Sequence, residues 1–201
     1  MTYLIPPPYS QPLKTVILNG SLHKPSRTRI LLDAVNNRLA KNIMIESQFI
    51  ELADLVPHIG SALSTENLAP VAKKQIENIE KADLLIVGSP VYRGNIPGLL
   101  KHLFDLITME ALTGKPVLLV ATGGSQRHSL VIDHQLRPLF AFFQALTLPI
   151  GVYGTPEEII DGQISSELLS TRIDQTIRLA LPVLTNLTQN NYARLTELQE
   201  I

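Results

Sequence analysis

Three short stretches hold the residue types that can do chemistry. Residues 19–28 read N-G-S-L-H-K-P-S-R-T and set the hydroxyls of Ser21, Ser26 and Thr28 beside Arg27. Hydroxyl donors, a guanidinium and the unsatisfied N–H groups of a helix start together suit a phosphate. Gly20 allows a sharp exit from the apolar run before it. The plainer reading is a helix cap, with Ser26 accepting from the first turn and the arginine solvated. A cap uses one hydroxyl, and this stretch carries three with a cation. It matches neither G-x-x-x-x-G-K-S/T nor G-x-G-x-x-G, and Thr113-Gly114-Lys115 lacks the earlier glycine of a nucleotide loop.

The second stretch, S-P-V-Y-R-G-N-I-P-G, puts Pro90, Val91, Tyr92 and Arg93 on a turn stiffened by proline. An aromatic ring and turn amides form a surface suited to a flat heteroaromatic ligand. The plainer reading is a strand-to-helix turn, with Asn95 as cap and Pro97 in the first helical turn. That reading leaves Tyr92 and Arg93 unexplained. The third stretch, A-T-G-G-S-Q-R-H, places Gly123 and Gly124 between Thr122 and Ser125. Paired glycines let a backbone approach a ligand closely.

The elements that must position these loops alternate along the chain. Strand patterns fall at Thr15–Leu18, Met44–Leu52, Leu84–Gly88, Pro116–Thr122 and Thr147–Tyr153. Helical patterns fall at Ser26–Ala40, Ala69–Ala82, Ile96–Met109, Leu130–Leu146 and Ser165–Thr188, and Leu55–Asn67 reads as a loop. Residues 1–13 read as an irregular proline-rich arm, 14–189 as one domain and 190–201 as a tail. Wholly apolar strands between helices imply a parallel sheet covered on both faces. Ligands of such sheets lie beyond the carboxyl ends of the strands, at the topological switch point. All three loops follow strands, so one of them brings a phosphate end and the others a ring end. That is the shape of FMN.

Composition excludes several classes. With 201 residues the chain is long enough for one domain with a sizeable core. Net charge −1 argues against nucleic-acid binding by phosphate neutralisation, and against the strongly acidic surface of an electron carrier. No cysteine is present, which removes thiol nucleophiles and fits a reducing compartment. No signal peptide and no membrane span are expected from the sequence, so the expected location is cytoplasmic. His58 and His102 have no metal-ligand spacing and read as surface or core residues.

The motifs together resemble a known family. G-S-L-H-K-P-S-R-T resembles the phosphate loop G-S-x-R-x-x-S of the NAD(P)H-dependent FMN reductase family. S-P-V-Y-R-G-N-I-P-G-L-L-K and T-G-G-S resemble that family's second and third signatures, in order, from about Val16 to Leu184. The resemblance implies an α/β, flavodoxin-like three-layer sandwich, with a five-stranded parallel sheet in the order 2-1-3-4-5. It implies that Ser21, Ser26, Arg27 and Thr28 hold the FMN phosphate. Pro90, Val91, Tyr92 and Arg93 would line the ribityl chain and ring, and Thr122, Gly123, Gly124 and Ser125 the ring's other side. His23 stands where arginine is commoner in the family, so Lys24 or Arg27 would supply the charge.

The run A-T-G-G-S-Q-R-H-S-L-V-I-D-H-Q-L-R-P is similar to the sulfonate-assimilation branch of the family. Members of that branch supply reduced FMN to a separate alkanesulfonate monooxygenase. The resemblance places His134 at a one-residue π-bulge that lies at a tetramer contact near the flavin and is tied to flavin exchange. His128 also aligns with a histidine of the branch. The implied activity is hydride transfer from NADH or NADPH to FMN, with no catalytic side chain required. Helix three, I-P-G-L-L-K-H-L-F-D-L-I, has surplus apolar surface, consistent with the family's dimers and tetramers. The alternatives are an NAD(P)H-dependent quinone or azo reductase with tightly held FMN, and a non-enzymatic flavodoxin-like carrier.

Overall fold

Strand residues alternate between two apolar cores, and this alternation builds the sheet. The computed structural model describes residues 11–199, with side chains described through 187. The Tyr3–Tyr9 segment of the expected arm lies outside the described residues. In chain order the elements are β1 (Leu13–Asn19), α1 (Arg27–Ala40), β2 (Ile45–Glu51), α2 (Leu52–Ile59), α3 (Pro70–Lys81), β3 (Leu84–Pro90) and α4 (Gly98–Asp105). Then follow β4 (Pro116–Thr122), α5 (Arg137–Phe142), β5 (Leu146–Thr147), β6 (Val152–Gly154), β7 (Ile159–Ile160), β8 (Gln163–Ile164) and α6 (Glu167–Gln199). Val16, Leu18, Leu85, Val87, Leu119 and Ala121 face one core, with α2, α3, α4 and α5. Ile17, Leu84, Ile86, Leu118 and Val120 face the other, with α1 and α6. Period-two alternation with both faces apolar is what a sheet covered on both sides demands.

The sheet order is β2-β1-β3-β4-β5, with β6 also paired to β4, and every pairing in it is parallel. This is the expected flavodoxin-like order. The fifth position is split: Leu146–Thr147 pairs the start of β4 and Val152–Gly154 pairs its end. The expected single strand Thr147–Tyr153 is broken at Leu148–Gly151, a segment containing Pro149 and Gly151.

Two further differences have physical causes. The expected loop at Leu55–Asn67 begins instead inside α2, which buries Leu52, Leu55 and Ile59. Their i, i+3, i+7 spacing starts at the first residue after β2, where the sequence expectation still had strand, and Pro57 obscures it by lying inside the helix. The closing helix α6 continues past Thr188 to Gln199. Among the described residues, no helix is long and apolar enough to cross a membrane.

Lys115, from the discarded T-G-K match, caps α3. Its Nζ donates to the carbonyls of Ile79 at 3.1 Å and Glu80 at 2.6 Å, in the last turn of that helix. Burial pushes its ammonium down to about 8, against the opposing pull of Asp83 and Glu80. Between that value and the ordinary 10.5 the unfolded chain binds more protons than the folded one. Stability from this site therefore rises as pH climbs through that window. Wild-type protein should gain on the order of 1–3 kcal/mol relative to Lys115→Met from one end of the window to the other. Urea unfolding of both proteins at the two pH values reads this; a constant difference would contradict it.

Candidate functional site

The three loops meet at the carboxyl ends of β1, β3 and β4. Strand register sets the row: Asn19 pairs with Glu51 and Gly88, Pro90 with Thr122, and Thr122 with Gly154. Because β1 and β3 are neighbours whose following helices pack on opposite faces, their loops diverge and leave a crevice between them.

Asn19, buried at the end of β1, organises the first loop. Its Oδ1 accepts from the Ser21 N–H at 3.2 Å. Its Nδ2 donates to Ser26 Oγ at 3.2 Å and to Glu51 Oε2 at 2.7 Å. Ser21 is itself buried, and its Oγ donates to the His23 carbonyl at 3.0 Å and accepts from the His23 N–H at 3.2 Å. Ser26 caps α1 by accepting from the Arg29 N–H at 3.2 Å. Both of these bonds use Ser26 Oγ as acceptor, so its proton is left to donate. Arg27 and Thr28 are the first two residues of α1, whose N–H groups have no intrahelical acceptor.

The cations of this loop divide sharply. Lys24 is held by both carboxylate oxygens of Asp54 at 2.7 Å. Arg29 is held by Asp33 at 3.0 Å and Glu51 at 2.5 Å, and lies 3.7 Å from the Phe49 ring centroid. Arg27 is exposed, and among the described residues no carboxylate lies within ion-pair distance of it. Its charge reaches Glu157, whose carboxyl is held below the usual range mainly by hydrogen bonds to its own backbone and to Thr155, with Arg27 adding a smaller pull.

Gly20 serves packing. A Cβ there would lie 2.8 Å from the Gly88 carbonyl and from Leu100 Cδ2, so only glycine lets β1 leave beside β3. Thr28 is buried, and its hydroxyl shares a 2.7 Å hydrogen bond with that of Thr122. The bond ties the first loop to the third.

The second loop is a tight turn. Tyr92 and Asn95 exchange backbone hydrogen bonds at 2.8 and 3.1 Å, with Arg93 at φ +53° and Gly94 at φ +82° between them. Two consecutive positive φ values make a type I′ turn, and a residue such as Arg there costs about 1 kcal/mol relative to glycine. Asn95 does not cap the helix, contrary to the sequence expectation. Its Oδ1 accepts from the next N–H at 2.7 Å, and Pro97 takes the cap position of α4. The Val91 N–H donates to the Thr122 carbonyl at 2.7 Å, and the Tyr92 ring lies 6.1 Å from that of His23. His23 therefore packs toward the second loop.

In the third loop the two glycines differ. A Cβ on Gly123 would lie 2.2 Å from Tyr153 Oη and 3.3 Å from Val91 Cγ2. A Cβ on Gly124 would meet nothing within 4 Å, and its φ is not in the left-handed region. Among the described residues nothing requires glycine at 124, and the space beside its backbone is open. Ser125 precedes a 3₁₀ turn at Gln126–His128, and its carbonyl accepts from Tyr153 Oη at 2.7 Å. Beyond it a π-helical turn spans Ile132–Leu136, closed by the Arg137 N–H donating to the Ile132 carbonyl. His134 sits in the middle of this turn, exposed, and His128 is exposed as well. His102 instead serves the fold, bonded to the Ile59 carbonyl at 2.8 Å.

The structure thus brings all twelve expected cofactor residues to one end of the sheet. Sequence reading missed Asn19, Glu51 and Tyr153. Asn19 ends an apolar strand with a buried amide, a visible signal; the other two are seen only once strands pair.

Parallel order β2-β1-β3-β4-β5 with helices on both faces defines a flavodoxin-like α/β protein, a fold whose ligands lie at the strand ends by the switch point. The sequence profile described as NADPH-dependent FMN reductase matches residues 13–158, and the chain belongs to that family. It is 55% identical over 174 residues to the NADH-dependent FMN reductase SfnF of Pseudomonas fluorescens, covering 87% of this chain and 93% of that protein. It is 49% identical to the NADH-dependent FMN reductase SfnE of Pseudomonas putida, covering 87% and 94%. An FMN reductase (NADPH) of Pseudomonas aeruginosa is 48% identical with the same coverage. A solved oxidoreductase from Corynebacterium diphtheriae superposes with a TM-score of 0.76 at 28% identity, over 90% of this chain and 99% of that one. The apo form of the NADH:FMN oxidoreductase EMOB superposes with a TM-score of 0.74 at 25% identity, over 85% and 89%. The chain is a flavin reductase, an NAD(P)H:FMN oxidoreductase that uses FMN with NADH or NADPH.

Proposed function

We propose that this flavin reductase takes up FMN, reduces it with NADH or NADPH, and releases it to a separate flavin-dependent monooxygenase of the alkanesulfonate type. The observation that carries the phosphate end is the division of charge in the first loop: Lys24 and Arg29 are neutralised by carboxylates and Arg27 is not. Ser26 and Arg27, with the two open N–H groups of α1, hold the phosphate directly. Ser21 and Thr28 hold the loop in shape through their internal bonds. Pro90, Val91, Tyr92 and Arg93 line one side of the ring, and Thr122, Gly123, Gly124 and Ser125 the other. The open space at Gly124 leaves room for a flat group lying against the backbone. FMN supplies the hydride-accepting chemistry; the chain binds, orients and shields it.

Release to a partner is supported by likeness to SfnF and SfnE and by the π-helical turn at His134. Such turns occur often at functional sites. His134, with His128, would lie where subunits meet and flavin exchanges. A homodimer or homotetramer is supported by the apolar groove of about 790 Å³ between α4 and α5, where Met109 and Phe142 are exposed. The proposed location is cytoplasmic, and no role in nucleic-acid or membrane binding is proposed.

Initial-velocity kinetics with FMN and NADH varied together test the release step. Saturable dependence on free FMN, with bound flavin lost on dialysis, is expected. Flavin retained through turnover, with rates independent of added FMN, would instead indicate a quinone or azo reductase with fixed FMN.

A further inference from the structure

Tyr153 lies on β6, outside the three loops, yet it carries much of the contact that fixes the third one. Its Oη donates to the Ser125 carbonyl at 2.7 Å. The same oxygen occupies the space a Gly123 side chain would need, with Tyr153 Cζ at 3.2 Å from that position. Neighbouring bonds reinforce the join. The Gly123 N–H donates to the Gly154 carbonyl at 3.2 Å, and Gln126 Nε2 donates to Glu158 Oε2 at 3.1 Å. Glu158 is in turn held by the Thr155 N–H at 3.0 Å and the Thr155 hydroxyl at 3.1 Å. Burial first, and then the charge of Glu158, push the Tyr153 phenol above its ordinary value, so it stays a donor at working pH.

This arrangement explains why the paired glycines are not equivalent. Gly123 is glycine because of Tyr153, whereas Gly124 has no such neighbour. A backbone anchored at 123 and 125 from one side leaves residue 124 presented on the other. We propose that Tyr153 is a positioning residue for the flavin ring: its hydroxyl on the Ser125 carbonyl, and its ring against Gly123, hold the 122–125 backbone in its ligand-binding shape. The proposal rests on the flavin-binding reading above and adds to it a residue that needs no contact with the ligand.

Fluorescence titration of wild type and Tyr153→Phe with FMN and with riboflavin tests it. Phenylalanine keeps the ring and removes only the hydroxyl. The dissociation constants for both flavins should rise by the same factor, roughly five- to tenfold, the size of one neutral hydrogen bond. KM for FMN should rise with them while kcat at saturating FMN stays within about twofold, since only the ordering of the loop is changed. Gly123→Ala, whose methyl would strike the hydroxyl, should weaken both flavins as well. Placed in the Tyr153→Phe background it should cost less than it does alone, because the struck atom is gone. Unchanged affinities in Tyr153→Phe, beside a wild type that binds flavin, would overturn this proposal alone. A loss confined to FMN would also overturn it, since that would place the effect at the phosphate. Wild-type protein that binds neither flavin would overturn the flavin reading and this one with it.

Discussion

Arg27→Ala is expected to weaken FMN binding by roughly 10- to 100-fold, the span of a lost charge-assisted hydrogen bond, and to leave riboflavin binding within about twofold. The reason is what surrounds the loop's other cations. Lys24 gives its charge to Asp54, and Arg29 gives its charge to Asp33 and Glu51 while packing on Phe49. Neither is available to a phosphate without first breaking those pairs. Arg27 is exposed in the first turn of α1, where helix N–H groups add their own partial positive charge. Removing it deletes the unpaired cation and leaves the fold intact. Fluorescence titration with both flavins checks this; an equal loss for riboflavin would move Arg27 away from the phosphate.

Gly124→Leu is expected to abolish detectable flavin binding, a loss of at least about 100-fold, with thermal stability unchanged or slightly raised. Most glycine substitutions cannot make so clean a separation. At Gly20, Gly88 and Gly123 an added Cβ lies within 2.8 Å of other atoms, so loss of function there would be confounded with strain. At Gly124 there is space for a side chain and an ordinary backbone conformation. A leucine would occupy the open space beside the loop and cost the folded chain little. The measurement is a melting curve of the apo protein paired with FMN titration. Retained FMN affinity would show that the ring does not lie beside Gly124.

Much of the fold was legible because its central strands are apolar on both faces. Leu84–Pro90 and Pro116–Thr122 are buried throughout, and runs of that kind between amphipathic helices allow few topologies. The helix α2 was hidden because it starts directly after β2 with no intervening loop and Pro57 looks like a breaker. The fifth strand was misdrawn because Pro149 and Gly151 interrupt it without ending its place in the sheet.

The site was legible at its loops and not at its supports. Hydroxyls, glycines and a cation announce themselves by type. The pairing that frees Arg27 does not, since Asp54 and Glu51 approach only through strand order and helix packing. Asn95 was misassigned as a cap because the turn it closes depends on the backbone signs of Arg93 and Gly94, which composition alone leaves open. Tyr153 is distant in sequence from the loop it anchors, so only the β4–β6 pairing brings it there.

The most direct test is the oxidation of NADH and of NADPH by purified protein, followed with and without added FMN. Oxidation should be slow without FMN and should rise saturably as FMN is added, with riboflavin a poorer acceptor because it lacks the phosphate assigned by the proposal to Arg27 and Ser26. Oxidation of neither nicotinamide in the presence of FMN would contradict the reading of these three loops as a flavin reductase site.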